Sequence, residues 1–236
     1  MKTIRPVAAA QTVPVRGDVD ANIAHHVSAI RRAAEERVRL LVFPELSLTG
    51  YELDLAADLA FGEKDARLVP LASLAASNTM TLVVGAPVRL RSRLHIGAFI
   101  ITPEGSIDIY TKHHLGSGEE GVVAGDRNPL VRCEGNVAAV AVCADANRPS
   151  HPEAAAQRGA KTYLVSTFIT PAEYQNKAAM FRAYAVRHAM TVVFANYGGP
   201  TGGLASAGRS AIWSDRGDTL AELAGTGSGL AIAYAT

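Results

Sequence analysis

The segment 137–167 constrains the fold most, because it joins two apolar runs through a polar turn and a helical pattern. The first run contains only Val and Ala and ends at Cys143. A polar turn follows, residues 151–158 have a helical pattern, and Tyr163–Ser166 form the second apolar run. Buried strands that alternate with helices predict an α/β protein.

Cys143 lies at the carboxyl end of the first of these strands, next to the turn that leads into the helix. Backbone N–H groups and the helix dipole at such a position favour a thiolate and an oxyanion. A free cysteine is also among the most buried residue types, so its position alone does not separate a nucleophile from a structural thiol. A catalytic role for Cys143 requires a base and an oxyanion stabiliser elsewhere in the chain.

The rest of the chain continues the alternation of strands and helices. Asp20 is the predicted cap of a first helix with an apolar face, and two further helices are predicted at 65–77 and 171–188. Short apolar runs predict buried strands at 40–43, 81–85 and 191–195, with 6–10 and 129–132 as weaker candidates. Two hairpins, 95–102 with 107–110 and 210–214 with 219–223, and a closing strand at 229–234 require mixed sheets.

Charge and cysteine content exclude several classes of protein. The 236 residues carry 23 basic and 22 acidic side chains, and this balance favours neither nucleic acid nor an anionic membrane as a partner. Two cysteines cannot build a disulfide framework, and neither has a zinc-ligand spacing. No apolar run is long enough to span a membrane, and the first residues do not resemble a signal peptide. We therefore expect one cytoplasmic domain over residues 1–236.

Two charged residues follow strands as directly as Cys143 does. Glu45 comes after the strand 40–43 and Pro44, where burial raises the pKa of a carboxyl toward that of a general base. Lys112 follows the strand 107–110, and Glu120 lies beyond it in a glycine-rich segment. A lysine beside two carboxylates stays charged and stabilises an oxyanion. The alternatives are that Glu45 is a capping or loop acid and that Lys112 is a solvated surface lysine.

The sequence motifs at the three strand ends together resemble those of the nitrilase superfamily of carbon–nitrogen hydrolases. Its glutamate motif resembles Phe43-Pro44-Glu45 through Thr49-Gly50-Tyr51, its lysine motif resembles Tyr110-Thr111-Lys112 with Glu120-Gly121, and its cysteine motif resembles Val142-Cys143-Ala144-Asp145. The resemblance covers nearly the whole chain and keeps the three motifs in order.

The resemblance implies an α-β-β-α sandwich that becomes four-layered when two chains associate, and a homodimer or higher homo-oligomer. It implies a catalytic triad of Glu45 as base, Lys112 as oxyanion stabiliser and Cys143 as nucleophile, without metal or cofactor. It also places Ala144 at the oxyanion through its N–H, and Glu120, Tyr51 and Asn196 among the groups that position the substrate.

The residues after the nucleophile indicate the substrate class. Nitrilases of this superfamily typically have Trp-Glu there, whereas this chain has Ala144-Asp145, which favours a small amide, aliphatic or ω-amidase-like, over a nitrile. Arg148 is a candidate ligand for a substrate carboxylate, as in N-carbamoyl amino acid hydrolases, or a cap for local carbonyls. A catalytically silent partner-binding or regulatory module on the same scaffold is the alternative from another class.

Histidines supply the remaining alternatives. The pairs His25-His26 and His113-His114 do not form natural chelates, because adjacent side chains point to different sides of a helix or strand. A Cys–His dyad with His151 or His188 is compatible with the composition, but it leaves Glu45 and Lys112 without a role.

Overall fold

The computed structural model describes residues 6–234, which form two six-stranded mixed sheets. The strands are β1 (Pro6–Gln11), β2 (Leu40–Val42), β3 (Thr81–Leu90), β4 (Arg93–Ile101), β5 (Ile107–Thr111), β6 (Leu130–Cys133), β7 (Asn136–Val142), β8 (Thr162–Ser166), β9 (Thr191–Ala195), β10 (Ala211–Trp213), β11 (Thr219–Glu222) and β12 (Gly229–Tyr234). The first sheet has the order β12-β1-β2-β3-β4-β5, and the second has the order β11-β10-β9-β8-β7-β6.

Each sheet has a parallel centre with antiparallel strands on both sides. β1, β2 and β3 are parallel neighbours in the first sheet, and β7, β8 and β9 are parallel neighbours in the second. The two predicted hairpins pair β4 with β5 and β10 with β11. In each sheet the parallel strands end at the same edge, so β2 and β7 have their carboxyl ends at the edge where ligands bind in α/β proteins.

Helices cover the outer face of each sheet. They are α1 (Val19–Glu35), α2 (Ala56–Leu59), α3 (Val69–Asn78), α4 (Ser150–Gln157) and α5 (Tyr174–His188), and 3₁₀ helices lie at Ala66–Leu68 and Cys143–Asn147. α1 and α3 supply apolar side chains to the core under the first sheet, and α4 and α5 supply those under the second. None of the helices among residues 6–234 is long and apolar enough to cross a membrane.

Alternation along the strands produces three apolar layers. In β2, Leu41 faces the helices, whereas Leu40 and Val42 face the other sheet, and all three are buried. Because successive strand residues point to opposite faces, a strand buried on both sides reads as an unbroken apolar run. The layers α-β-β-α confirm the predicted sandwich.

Some predicted boundaries were wrong. The cap of α1 is Asp18, whose Oδ1 accepts a hydrogen bond from the Ala21 N–H at 2.9 Å, and Asp20 lies inside the first turn. β3 continues to Leu90, beyond Gly85, because it pairs with β4 over its whole second half. Tertiary pairing of this kind leaves no signal in the local pattern.

Candidate active site

Glu45 lies in a tight loop at the carboxyl end of β2. Its side chain is fully buried, and its backbone carbonyl accepts a hydrogen bond from the Tyr197 hydroxyl at 2.6 Å. The loop packs directly on β3 at Gly85, where an added Cβ would lie 2.4 Å from the Pro44 carbonyl oxygen. Only a glycine at this position allows so close an approach of two backbones. The fold therefore holds the Glu45 carboxylate in one place.

The loop is also held from the helix side. His26 of α1 stacks on Phe43 with ring centroids 4.1 Å apart, and its Nε2 lies 2.9 Å from the hydroxyl of Ser47. Its Nδ1 is 2.7 Å from the Asn22 carbonyl oxygen, to which it donates. Burial lowers the pKa of His26 to about 4, so the ring is neutral and Nε2 accepts from Ser47.

Lys112 directly follows β5, as predicted, and its side chain is completely buried. Nζ donates to Glu45 Oε1 at 2.6 Å and to Glu119 Oε1 at 2.5 Å. Burial alone would lower the pKa of Lys112, but the charge of Glu45, followed by Cys143 and Glu119, raises it above its usual value. The ammonium therefore stays charged and has one N–H left for a further acceptor.

The structure corrects the predicted second glutamate. Glu120 is exposed and accepts a hydrogen bond only from the local Gly118 N–H, at 3.2 Å. Glu119 instead is buried against Lys112, and its Oε2 accepts from the Gly116 N–H at 2.7 Å. Adjacent residues point in different directions, so only one of the two glutamates can face the lysine.

Cys143 directly follows β7 as the first residue of the 3₁₀ helix Cys143–Asn147, and it is partly exposed. Its φ of 44° falls in the left-handed region, which costs a non-glycine residue about 1–3 kcal/mol and is typical of functional turns. Thr167, one residue beyond the strand β8 that pairs with β7, lies beside the thiol, and its hydroxyl lowers the pKa of Cys143. The strained turn presents the sulfur at the mouth between the sheets.

The thiol is not activated by its position alone, contrary to the prediction from the turn. Burial, and next the charge of Glu45, raise the pKa of Cys143 to about 12, despite the opposing charge of Lys112. Burial also raises the pKa of Glu45 to about 7, against the effect of Lys112. Glu45 Oε2 is buried and has no hydrogen-bond partner within residues 6–234. At neutral pH the thiol is therefore protonated, whereas Glu45 is divided between its acid and its carboxylate form, and the carboxylate has a free oxygen that can accept the thiol proton.

Tyr51 contacts the lysine motif, and Ala144 lies next to the thiol in the chain. The Tyr51 hydroxyl donates to Glu119 Oε1 at 2.7 Å, and its ring packs against Phe168 with centroids 5.5 Å apart. Ala144 directly follows the thiol and is partly exposed. Tyr51 thus connects the glutamate and lysine motifs and adds an aromatic wall to the site.

Two other predicted positioning residues have no hydrogen bond to Glu45, Lys112 or Cys143 among the described residues 6–234. Arg148 ends the 3₁₀ helix and is exposed. Asn196 is fully buried, and its amide bonds only to backbone: Oδ1 accepts from the Ile169 N–H at 2.8 Å, and Nδ2 donates to the carbonyls of Ile169 and Gly208. Asn196 therefore holds two loops together. Its position after a strand in the sequence does not indicate this structural role.

The structure excludes the Cys–His dyad with His151. Its Nε2 lies 3.0 Å from the Tyr110 hydroxyl and its Nδ1 lies 2.8 Å from the Tyr163 hydroxyl, so both ring nitrogens are engaged away from the thiol. His188 is the last residue of α5 and packs against Tyr184. Within residues 6–234, no three side chains of His, Cys, Asp or Glu converge as a metal site.

Comparison with known families agrees with this geometry. The sequence model of the carbon–nitrogen hydrolase family matches residues 6–235. The chain belongs to the carbon–nitrogen hydrolase family. The match spans all three strand ends that carry Glu45, Lys112 and Cys143, and the resemblance to the nitrilase superfamily is confirmed.

Curated relatives of this carbon–nitrogen hydrolase include two kinds of enzyme. The glutamine-dependent NAD(+) synthetase of Mycobacterium tuberculosis strain H37Rv is 29% identical over 237 residues, which cover 87% of this chain and 35% of the synthetase. An (R)-stereoselective amidase of Pseudomonas sp is 29% identical over 155 residues, covering 64% of this chain and 55% of the amidase. The chain thus spans about a third of the length of the synthetases and about half that of the amidase.

Solved structures similar to this carbon–nitrogen hydrolase include an amidase of the nitrilase superfamily from Nesterenkonia AN1. A cysteine-to-serine mutant of that amidase superimposes with a TM-score of 0.89 at 28% identity, covering 98% of this chain and 92% of the other. A cysteine-to-alanine mutant in complex with butyramide has the same TM-score and identity, and covers 98% and 91%. The sandwich of this chain is therefore the fold of nitrilase-superfamily amidases.

Proposed function

We propose that this chain is an amidase that cleaves the C–N bond of a small linear amide through a thioester on Cys143. The observation that carries the proposal is the buried contact of Lys112 Nζ with both Glu45 and Glu119 beside the thiol. Burying three charges costs free energy, so a fold that keeps them at one mouth uses them for more than stability.

The free oxygen of Glu45 supports its role as the base of the first step. Glu45 accepts the thiol proton, and the sulfur attacks the amide carbon, so an S–C bond forms and the carbonyl π electrons move to oxygen. Collapse of this species breaks the C–N bond, and the nitrogen takes the proton from Glu45 and leaves as ammonia. A pKa of about 7 for Glu45 suits a group that both accepts and returns a proton near neutral pH.

Lys112 and the Ala144 N–H support the negative oxygen of the tetrahedral species. When Glu45 accepts the proton, Lys112 loses the charge of one of its two partners, while its third N–H is free. The ammonium then has an unbalanced charge at the moment when the oxyanion develops. Preorganised donors of this kind stabilise the transition state more than the ground state.

The second step reuses the same base. A water molecule gives a proton to Glu45 and attacks the thioester carbon, and the C–S bond breaks. The thiolate recovers the proton from Glu45, and a carboxylic acid is released. Glu119 keeps Lys112 charged and oriented through both steps.

The surroundings of the thiol favour a short, neutral acyl group. Two carboxylates, Glu45 and Glu119, face one ammonium, so a substrate carboxylate near the reacting carbon would meet net negative charge. Tyr51 and Phe168 add apolar ring surface beside it. The similar Nesterenkonia amidase was solved in complex with butyramide, an amide of this kind.

Glutamine is a second candidate substrate, because the mycobacterial relatives over 87% of this chain are glutamine-dependent. An N-carbamoyl amino acid is the third, because the exposed Arg148 is a candidate ligand for a carboxylate held away from the thiol. Both candidates carry charge that a short aliphatic amide lacks, so a substrate panel separates the three.

The test is ammonia release by the purified chain from a panel of amides. The panel contains butyramide, acrylamide, dicarboxylic monoamides, L-glutamine, N-carbamoyl amino acids and aliphatic nitriles. We expect the highest kcat/KM for the short neutral amides and none for the nitriles. Preference for glutamine or for a carbamoyl compound would replace the first candidate. Release from none of them, together with slow alkylation of Cys143 by iodoacetamide, would favour the silent partner-binding module instead.

The neighbouring glutamates provide a matched pair of variants. Glu119→Gln is expected to lower kcat/KM on the order of 10²-fold, because Lys112 loses one of its two carboxylate partners. Glu120→Gln removes the same charge one residue away at the surface and is expected to leave kcat/KM unchanged. Steady-state ammonia release measures both. Equal losses in the two variants would contradict the assignment of Glu119.

Three further expectations stay predictions. They are that residues 1–236 act as one domain, that the chain forms a homodimer or a higher homo-oligomer, and that it acts in the cytoplasm. Sedimentation of the purified chain tests the oligomeric state.

A further inference from the structure

Asp145, two residues after the thiol, is a fully buried carboxylate that the proposed reaction does not use. Its Oδ1 accepts hydrogen bonds from the backbone N–H groups of His113 at 3.0 Å and His114 at 2.8 Å, and from the His114 ring at 3.1 Å. Its Oδ2 accepts from the Tyr110 hydroxyl at 2.7 Å and from the Val142 N–H at 3.2 Å. Two oxygens thus take five donors, so both oxygens must act as acceptors.

The donors come from the residues beside the reacting pair. His113 follows Lys112 in the chain, and Val142 precedes Cys143. One carboxylate therefore joins the end of β5 in the first sheet to the end of β7 in the second. Lys112 and Cys143 belong to different sheets, and Asp145 is a direct polar connection between the two backbones next to them.

A chain of hydrogen bonds sets the orientation of this carboxylate. The Tyr110 hydroxyl proton is engaged by Asp145, so the contact of 3.0 Å with His151 requires Nε2–H to donate to the Tyr110 oxygen. Nδ1 of the neutral ring then accepts from the Tyr163 hydroxyl at 2.8 Å. Burial lowers the pKa of His151 to about 4, which agrees with a neutral ring. Every donor in the chain points toward Asp145.

We propose that Asp145, held by the Tyr110 hydroxyl, is a positioning residue that sets the distance between Lys112 Nζ and the Cys143 thiol. The inference rests on the proposed function, because it assigns Asp145 to the alignment of that catalytic pair. A shift of about 1 Å between reacting groups costs on the order of 10²-fold in rate. Loss of the connection therefore reduces turnover while the mouth that binds the amide stays in place.

Asp145→Asn is the first test, because asparagine has the same shape but presents an N–H₂ group to one of the two sets of donors. We expect kcat to fall about 10²-fold while KM stays within about threefold, since the chemical step and not binding depends on the alignment. Asp126→Asn, which removes the same charge from the exposed surface, is the matched control and is expected to keep full activity. A purely stabilising role would lower the melting temperature and leave kcat of the folded protein unchanged, which would overturn the proposal.

Tyr110→Phe decides the question if Asp145→Asn does not fold. It keeps the ring in the core and removes only the hydroxyl that holds Asp145. A lower kcat at unchanged KM is the expected result. A kcat equal to that of the native chain would overturn the proposal.

Two measurements separate this inference from the proposed function, because neither requires a substrate. Amide hydrogen exchange is expected to be faster in Asp145→Asn at one of the two sets, either His113 with His114 or Val142, since the set that faces the N–H₂ group loses its acceptor. Alkylation of Cys143 by iodoacetamide is expected to be slower, because the thiol is no longer held against Glu45 and Lys112. A native chain without amidase activity would contradict the proposed function alone. Unchanged exchange and alkylation in the variant would overturn the role of Asp145 alone.

Discussion

Cys143→Ala is expected to lower kcat for every amide that the native chain hydrolyses by about 10⁴-fold or more. The variant loses the sulfur atom that forms the thioester in the proposed reaction. Cys143→Ala removes a single side-chain atom and adds no bulk, so we expect the folded state and amide binding to be retained. Ammonia release measures the loss, and calorimetric titration with a substrate amide measures the binding.

Cys133→Ala is the matched control for this experiment. Cys133 is the only other cysteine of the chain, and its Sγ donates to the Arg39 carbonyl at 3.3 Å, away from the triad. We expect the control variant to keep full activity. Mass spectrometry after mixing with a substrate amide adds a direct test, since the acyl adduct forms on the native chain and on Cys133→Ala but not on Cys143→Ala. An adduct on Cys143→Ala would contradict the assignment of the nucleophile.

The strand ends of the site could be predicted because each catalytic residue directly follows an apolar run. Glu45 and Cys143 come three residues and one residue after β2 and β7, which belong to the parallel centres, and Lys112 directly follows β5, an antiparallel edge strand of the first sheet. Apolar runs can be recognised in the sequence without any knowledge of tertiary contacts. The places of Glu45, Lys112 and Cys143 after their strands could therefore be predicted from the sequence.

The choice between Glu119 and Glu120 could not be made in the same way. Both glutamates lie in a glycine-rich loop without hydrophobic periodicity, so nothing in the pattern indicates which one points inward. The structure decides through contacts with distant partners, namely Lys112 and the Tyr51 hydroxyl. In the folded chain the buried Val122 donates its N–H to the backbone carbonyl of Glu119 and closes a turn at this glutamate.

The protonation state of the Cys143 thiol could not be predicted from the local sequence either. The turn after β7 alone predicts a lowered pKa for Cys143, because backbone N–H groups favour the anion. In the folded structure burial and the charge of Glu45 outweigh the local effect and raise the pKa of Cys143 instead. The pKa of a thiol depends on which charges the fold places near it. Glu45 and Cys143 are 98 positions apart in the chain and follow strands of different sheets, so the local sequence does not show their proximity.

Because the thiol is protonated at neutral pH, the reaction depends on the base, and Glu45→Gln is expected to lower kcat/KM on the order of 10³-fold. Glutamine keeps the shape of the side chain and a carbonyl oxygen for Lys112, but it cannot accept the thiol proton. For the native chain, kcat/KM is expected to fall about tenfold per pH unit below the pKa of about 7, because protonation of Glu45 removes the acceptor. Initial rates of ammonia release between pH 5 and 8 give both results.

The pH profile of the variant separates a base from a group that only holds Lys112. If Glu45 is the base, Glu45→Gln loses the acidic limb along with the activity, since the carboxyl whose pKa is about 7 has been removed. Glu153→Gln, an exposed glutamate in the first turn of α4, removes the same charge and is expected to keep both the rate and the limb. An acidic limb that persists in Glu45→Gln would assign the proton transfer to another group. A rate within tenfold of the native chain would do the same, because general base catalysis contributes at least about 10²-fold.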